Sequence, residues 1–200
     1  MSESLLQETE YFSEHFSGLD LLEAELCNKE FEACVFTDCD LSQANLADSK
    51  FIDCHFVRCN LSVVKIKRAR FSEVVFESCK VIGVDWTHAY WPAFLPASPI
   101  KFYKCIINDS SFFALDQSEL VIEECKAHDV DFREGNFSHA NFSHTDFSHS
   151  SFRQTNLSSV DFSEARNYQV DIYVNEIKRA KFTRQEAISL LESLDIELVD

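Results

Sequence analysis

The chain has 200 residues, 46% hydrophobic and 26% charged, which is enough for a sizeable core and unlike the composition of a disordered chain. Its 34 acids against 18 bases leave a net charge of −16; that argues against electrostatic binding to nucleic acid or to an anionic membrane and points to basic partners. With 19 Phe but only 3 Gly and 3 Pro, its turns must be made without the usual turn residues.

Residues 1–14 are expected to cap the N-terminal end. From Phe16 the chain repeats in fives: Leu21, Leu26, Phe31, Phe36, Leu41, Leu46, Phe51, Phe56, Leu61, Ile66, Phe71, Phe76, Val81 and Trp86 complete fifteen large apolar residues in fifteen positions. Chance gives this on the order of 10⁻⁵ at an ordinary hydrophobic content. Two residues before most of these sites stands a smaller one, as at Ala24, Cys34, Cys39, Ala44, Ser49, Cys54 and Cys59. A period of five fits neither a helix nor a flat strand. It predicts a narrow tube in which one bulky and one small side chain point inward per five residues and three face water.

Residue type recurs at twenty, with Phe16, Phe36, Phe56 and Phe76 in one column and Leu21, Leu41, Leu61 and Val81 in another. Four fives therefore close one square coil, and stacked coils can exchange backbone hydrogen bonds at the interstrand spacing of about 4.8 Å. The first block of this all-β solenoid is expected over residues 15–86.

Residues 87–101 break the pattern and hold all three prolines. Pro cannot continue a ladder, so this segment should leave the tube as a loop. Its apolar residues, Tyr90, Trp91, Pro92, Phe94, Leu95 and Pro96, either fold back over the tube where the register slips by one residue or contact a partner. The fives resume at Phe102 and run to Phe182, with 14 of 17 sites large and apolar; Gln117, Ala127 and Asn167 are the exceptions. The second block is expected over 102–182. At residues 183–200 the period changes. Thr183-Arg184-Gln185-Glu186 reads as a capping box, and Ala187, Leu190, Leu191 and Leu194 are spaced as one apolar helical face. A solenoid end needs such a cap.

Seven of the eight Cys occupy the small inward position, which predicts stacked free thiols rather than a zinc site, because successive fives lie on different sides of the tube. The same geometry separates His139, His144 and His149. No catalytic nucleophile with a base, phosphate loop or metal-ligand motif is present, so neither enzyme activity nor a cofactor is expected. Met1 is followed by acids such as Glu3 and Glu8 rather than by a secretory leader, and with eight Cys this predicts a reducing, cytoplasmic setting. No apolar run reaches the length of a membrane span.

The pattern at Ala44-Asn45-Leu46, Ala140-Asn141-Phe142 and Val160-Asp161-Phe162 resembles the pentapeptide repeat proteins, whose fold is a right-handed quadrilateral β-helix. More narrowly, Gly83-Val84-Asp85-Trp86, Asn167-Tyr168-Gln169-Val170-Asp171-Ile172 and the tail from Leu190 to Leu198 look like the group containing the albicidin-resistance (AlbG-like), Qnr quinolone-resistance and microcin-immunity proteins. That resemblance implies a DNA-mimicking protein that binds DNA gyrase, or a related type II topoisomerase, and protects it from an inhibitor or toxin. It also implies a homodimer joined through the C-terminal end by Ala187, Leu190, Leu191, Leu194, Ile196 and Leu198. A Qnr-like projecting loop fits residues 87–101, whereas the earlier second loop of the Qnr pattern has no room in the unbroken fives from Phe16 to Trp86.

Charge is uneven. Residues 1–32 hold nine acids and one base, Lys29, either as a solvated face or as part of a DNA-like surface. About eight coils at ~4.8 Å give a tube near 40 Å, so a dimer would approach 80 Å, or roughly 24 base pairs. The basic run Lys65, Lys67, Arg68 and Arg70 departs from simple mimicry.

Overall fold

In the computed structural model, which describes residues 8–92, 99–194 and 196, the chain winds as an all-β solenoid of about eight coils with four faces. Every strand pair is parallel. Tyr11 lies against Phe31, Phe31 against Phe51 and Phe51 against Phe71 on the first face. Phe16, Phe36, Phe56, Phe76 and Phe102 align on the second. Leu21, Leu41, Leu61 and Val81 are buried on the third face, and Leu26, Leu46, Ile66 and Trp86 on the fourth. Residues 10–12, expected in a cap, already form the first strand, because Tyr11 stands one five before Phe16 and takes the corresponding inward site.

The turns are made by left-handed corners. Two residues after most inward bulky side chains the backbone takes positive φ; among the described residues this conformation is found at 28 non-glycine residues, with φ between 51° and 64°, and at Gly18 and Gly83. Such a residue costs about 1 kcal/mol or more when it carries a Cβ, and the packed interior holds it there. The corner N–H does not lose its partner: Ser13 donates to the Glu32 carbonyl, Gln43 to that of Ser62 and Asp53 to that of Ser72, each on the next coil.

The Asp or Asn that precedes many inward residues has a local task. Asp40 accepts the Ser42 N–H at 2.9 Å and its hydroxyl at 2.6 Å; Asn60, Asn141 and Asp146 accept both from Ser62, Ser143 and Ser148 in the same way, and Asp161 accepts the Ser163 N–H. These side chains bridge the bulky inward residue between them and satisfy a backbone donor that the square bend leaves unpaired.

Aromatic columns run up the tube. Phe36 stacks on Phe56 at 4.7 Å and Phe56 on Phe76 at 5.1 Å, while Trp86 passes the fourth column to Phe112, Phe132 and Phe152 at 5.9, 5.4 and 4.9 Å. Stacked identical rings pack offset face to face at these distances, which adds to their burial.

Two places depart from twenty. Val74 pairs with Ile100 and Lys80 with Ile106, so one coil carries 26 residues and absorbs the insertion. Further on, Phe152 pairs with Val170, only eighteen residues away, before the spacing of twenty returns at Asn156 with Glu176. The fives therefore do not run through Asn167 and Ile172. Tyr168 and Val170 fill the core, Ile172 is left half-buried, and the bend at Asp171–Asn175 restores the count.

The C-terminal helix expected from 3.6-residue spacing is a 3₁₀ helix, Glu186–Leu194. Leu190 packs against the core. At the other end Lys29 fills the small inward site, with its Nζ on the Glu8 carbonyl and 5.8 Å from the Tyr11 ring.

Val63 is a β-branched residue in a left-handed corner (φ 57°), and its side chain is 55% exposed. Asn tolerates that backbone far better. Val63→Asn should therefore stabilise the protein by about 1 kcal/mol, read as a raised melting temperature; an unchanged or lowered melting temperature would contradict the corner-strain account.

Candidate partner-binding surface

The described residues before the insertion end on the first face, and those after it begin on the second, where Ile100–Tyr103 pairs with Val74–Glu77. Residues 88–91 first continue the first face upward: Arg68 N–H donates to the His88 carbonyl and Tyr90 N–H to the Ala69 carbonyl, both at 2.8 Å. Trp91 stands twenty residues after Phe71, with ring centroids 6.3 Å apart, and is 6.4 Å from Trp86, to whose carbonyl its indole N–H donates at 2.9 Å. Its ring is half-buried against the core. Tyr90 is 45% exposed, with the Arg70 guanidinium 4.5 Å above its ring, and Pro92 is exposed. Of the six loop residues singled out from the sequence, these three are therefore placed, and Phe94, Leu95 and Pro96 lie outside the described residues.

Directly above this root lies Gln117, one of the three exceptions to the fives. It is 1% exposed, and neither its amide oxygen nor its amide nitrogen has a hydrogen-bond partner among the described residues. A buried unpaired amide destabilises a core by roughly 1–3 kcal/mol. The coil above it needs Gly135: a Cβ there would approach the Phe137 ring to 2.5 Å.

The charges form a pattern that the linear sequence conceals. Lys50 pairs with Glu30 at 2.6 Å, Arg58 with Asp38 at 2.7 Å and Arg68 with Asp48 at 2.6 Å, each base standing twenty residues above its acid. The Arg58 and Arg68 forks hold Asp38 and Asp48 below the ordinary carboxylate range. Of the basic run noted in the sequence, Arg68 is thus an inter-coil clamp and Arg70 lies on Tyr90, while Lys65 and Lys67 remain exposed on the fourth face. Glu8, Glu10, Glu14, Glu23 and Glu32 are exposed and make no ion pair among the described residues.

The thiols form ladders. Cys39 N–H donates to Cys59 Sγ, Cys59 N–H to Cys79, Cys79 N–H to Cys105 and Cys105 N–H to Cys125 at 3.2–3.4 Å, and Thr145 Oγ1 ends the column. The run of 26 brings Cys105 and Cys125 into the column of Cys39, Cys59 and Cys79, a continuity hidden by counting in twenties. All eight Cys are free, and Cys27 alone among them is not buried. Burial pushes the Cys54 thiol up to about 12, and the Cys105 thiol followed by burial does the same to Cys79. No cluster of His, Cys, Asp or Glu among the described residues could hold a metal ion.

At the C-terminal end Ala187, Leu190, Leu191 and Leu194 are half-buried, and Ile196 is 52% exposed; Leu198 lies outside the described residues. Ile188 is equally exposed, a position the helical-face reading did not include. Among the described residues no helix is long and apolar enough to cross a membrane.

A parallel square tube of stacked fives, its corners left-handed and its core lined by Phe and small residues, defines the class. The family model for the pentapeptide repeat region matches residues 29–95 and 97–162, more than half of the chain, so the chain belongs to the pentapeptide repeat family, whose right-handed quadrilateral β-helix it adopts. Among solved structures it is similar to a trypsin-treated variant of QnrB1, a plasmid-mediated fluoroquinolone resistance protein, with TM-score 0.60 and 18% identity over 95% of this chain and 100% of that one. A second trypsin-treated QnrB1 variant matches with TM-score 0.57 and 21% identity over 96% and 92%. At these identities the likeness establishes the fold. No curated protein matches the sequence significantly.

Two expectations follow. Native protein treated with iodoacetamide at pH 8 should be alkylated at Cys27 alone, and mass spectrometry finding label on Cys59 or Cys79 before unfolding would contradict the ladder. Because the Cys54 and Cys79 thiols titrate above their ordinary value of 9.0 in the native protein, their share of stability is intact below about pH 9. It should fall as pH rises towards 12. Second, Trp91→Ala should destabilise the protein by about 2 kcal/mol through lost packing on Phe71 and Trp86, while Tyr90→Ala changes the melting temperature little; the reverse order would place Trp91 outside the core.

Proposed function

We propose that the protein is a DNA-like ligand of DNA gyrase that protects this type II topoisomerase from an inhibitor. The observation that carries the proposal is the set of five exposed, unpaired carboxylates, Glu8, Glu10, Glu14, Glu23 and Glu32, around the N-terminal coils of a rigid rod. A basic DNA-binding groove would accept such a surface in place of phosphates. Support comes from the resemblance of the mid-chain and tail motifs to gyrase-protecting pentapeptide proteins and from the fold shared with a fluoroquinolone resistance protein. The placed part of the insertion offers Tyr90 and Pro92 to a partner, with Trp91 fixing the root. Pairing of two subunits through the C-terminal 3₁₀ helix and the exposed Ile188 and Ile196 belongs to the same reading, which gives the protein no catalytic residue.

A second reading is favoured by one observation. The carboxylates of Asp40, Asp146 and Asp161 bind the backbone of their own turns, so part of the acidity belongs to the repeat itself. On that view the rod is a scaffold for an unrelated protein and its charge keeps it soluble.

Gyrase supercoiling in the presence of an inhibitor separates the two. The native protein should restore supercoiling, and changing the five glutamates together to Gln should reduce the rescue at least fivefold without lowering the melting temperature. Absence of rescue by the native protein would contradict the gyrase reading. Full rescue by the Gln variant would remove the acidic surface from it.

A further inference from the structure

The first face carries an apolar groove of 420 Å³ under the root of the insertion, walled by Lys50 with its partner Glu30, and by Ile52, Arg70, Ser72, Tyr90 and Pro92, over the buried Phe51 and Phe71. Its chemistry departs from the rest of that face. In the second block the outward positions are polar: Asp116, Ser118, Asn136, Ser138, Asn156 and Ser158. Here Ile52, Tyr90 and Pro92 take corresponding sites.

Its charge is also distinctive. In the outward column Glu10, Glu30, Lys50, Arg70, Lys50 is spent on Glu30 below it. Arg70 stands above a lysine, and no carboxylate among the described residues pairs with it. The Tyr90 ring covers one face of its guanidinium at 4.5 Å and leaves the in-plane N–H fork free. A guanidinium held on an aromatic ring beside an apolar wall matches a carboxylate bidentately, and the ring limits the hydration that would weaken the pair.

We propose that this groove is a docking site for a carboxylate-bearing apolar segment of the protein partner, with Arg70 taking the carboxylate and Ile52, Tyr90 and Pro92 the adjoining apolar side chain. Resting on the gyrase reading, it adds a contact of opposite polarity to the acidic surface. Charge complementarity selects the occupant: a nucleic-acid backbone would be repelled by the net charge of −16 and by the unpaired glutamates on the coils below. A single carboxylate on a protein segment can enter.

The two kinds of contact predict opposite signs for one substitution. If acidity alone drives binding, Arg70→Glu adds to it and gyrase affinity rises or stays level. If Arg70 receives a carboxylate, the same change weakens binding by about tenfold or more. Affinity for gyrase would be measured at physiological salt for the native protein, for Arg70→Glu, for Arg70→Lys and for the double change Lys65→Glu with Lys67→Glu on the neighbouring face, with melting temperatures alongside. The expected result is a tenfold or greater loss for Arg70→Glu at an unchanged melting temperature, a smaller loss for Arg70→Lys, and no loss for the lysine pair. Equal or tighter binding by Arg70→Glu overturns the groove while leaving the gyrase reading intact. Binding of a short duplex DNA by the native protein that Arg70→Glu abolishes overturns the choice of occupant. A native protein that does not bind gyrase contradicts the functional reading itself and removes the groove's partner with it.

Discussion

Everything in this molecule depends on the left-handed corner. A residue with φ near 55° after each five turns the chain through one side of a square, so that four fives bring position i under position i+20 and the backbone of each coil bonds to the next. Glycine would make that corner at no steric cost, yet only Gly18 and Gly83 do so here. The interior holds the other corners in place. Stacked Phe rings, small Cys, Ser and Ala side chains, and Asp or Asn side chains that bind their own turn all require the same spacing, so a single geometric rule fixes core, surface and hydrogen bonding together.

That rule explains why so much was legible in the sequence. Bulky residues at every fifth position and like residues at every twentieth gave the tube, its four columns and the inward thiols. What remained hidden lies where the count changes. The coil of 26 residues moves Cys105 and Cys125 into the column of Cys79, which no tally in twenties can find. The shortened run to Val170 makes Tyr168 a core residue and exposes the neighbourhood of Ile172, because a strand-like alternation replaces a five there. Trp91 had been open to both readings, and the structure packs it on Phe71 and Trp86; the signal was present, since 91 is the next five after 86. The role of Asp and Asn in closing turns could also have been read from their fixed place one residue before the inward side chain, followed so often by Ser.

Surface charge was the least legible feature, because ion pairs in a solenoid join residues twenty apart. Arg68 reads as part of the basic run Lys65, Lys67, Arg68 and Arg70, but like Lys50 and Arg58 it pairs with an acid on the coil beneath it. Glu8, Glu10, Glu14, Glu23 and Glu32 on the N-terminal coils make no ion pair among the described residues, and Arg70, also without one, stands on an aromatic shelf at the root of the insertion. On the proposed reading these would be two separate handles for one partner, placed at different heights on the tube.

The twenty-residue coil is the central claim, and it can be tested by removing one. Deleting residues 30–49 would take out a whole turn and rejoin columns of like residues, with Tyr11 now under Phe51. Deleting 30–48 removes one residue fewer and puts every later inward side chain out of place. The account predicts a cooperative thermal unfolding transition and retained β-structure for the first variant, with loss of both for the second. Equal tolerance of the two deletions would contradict it.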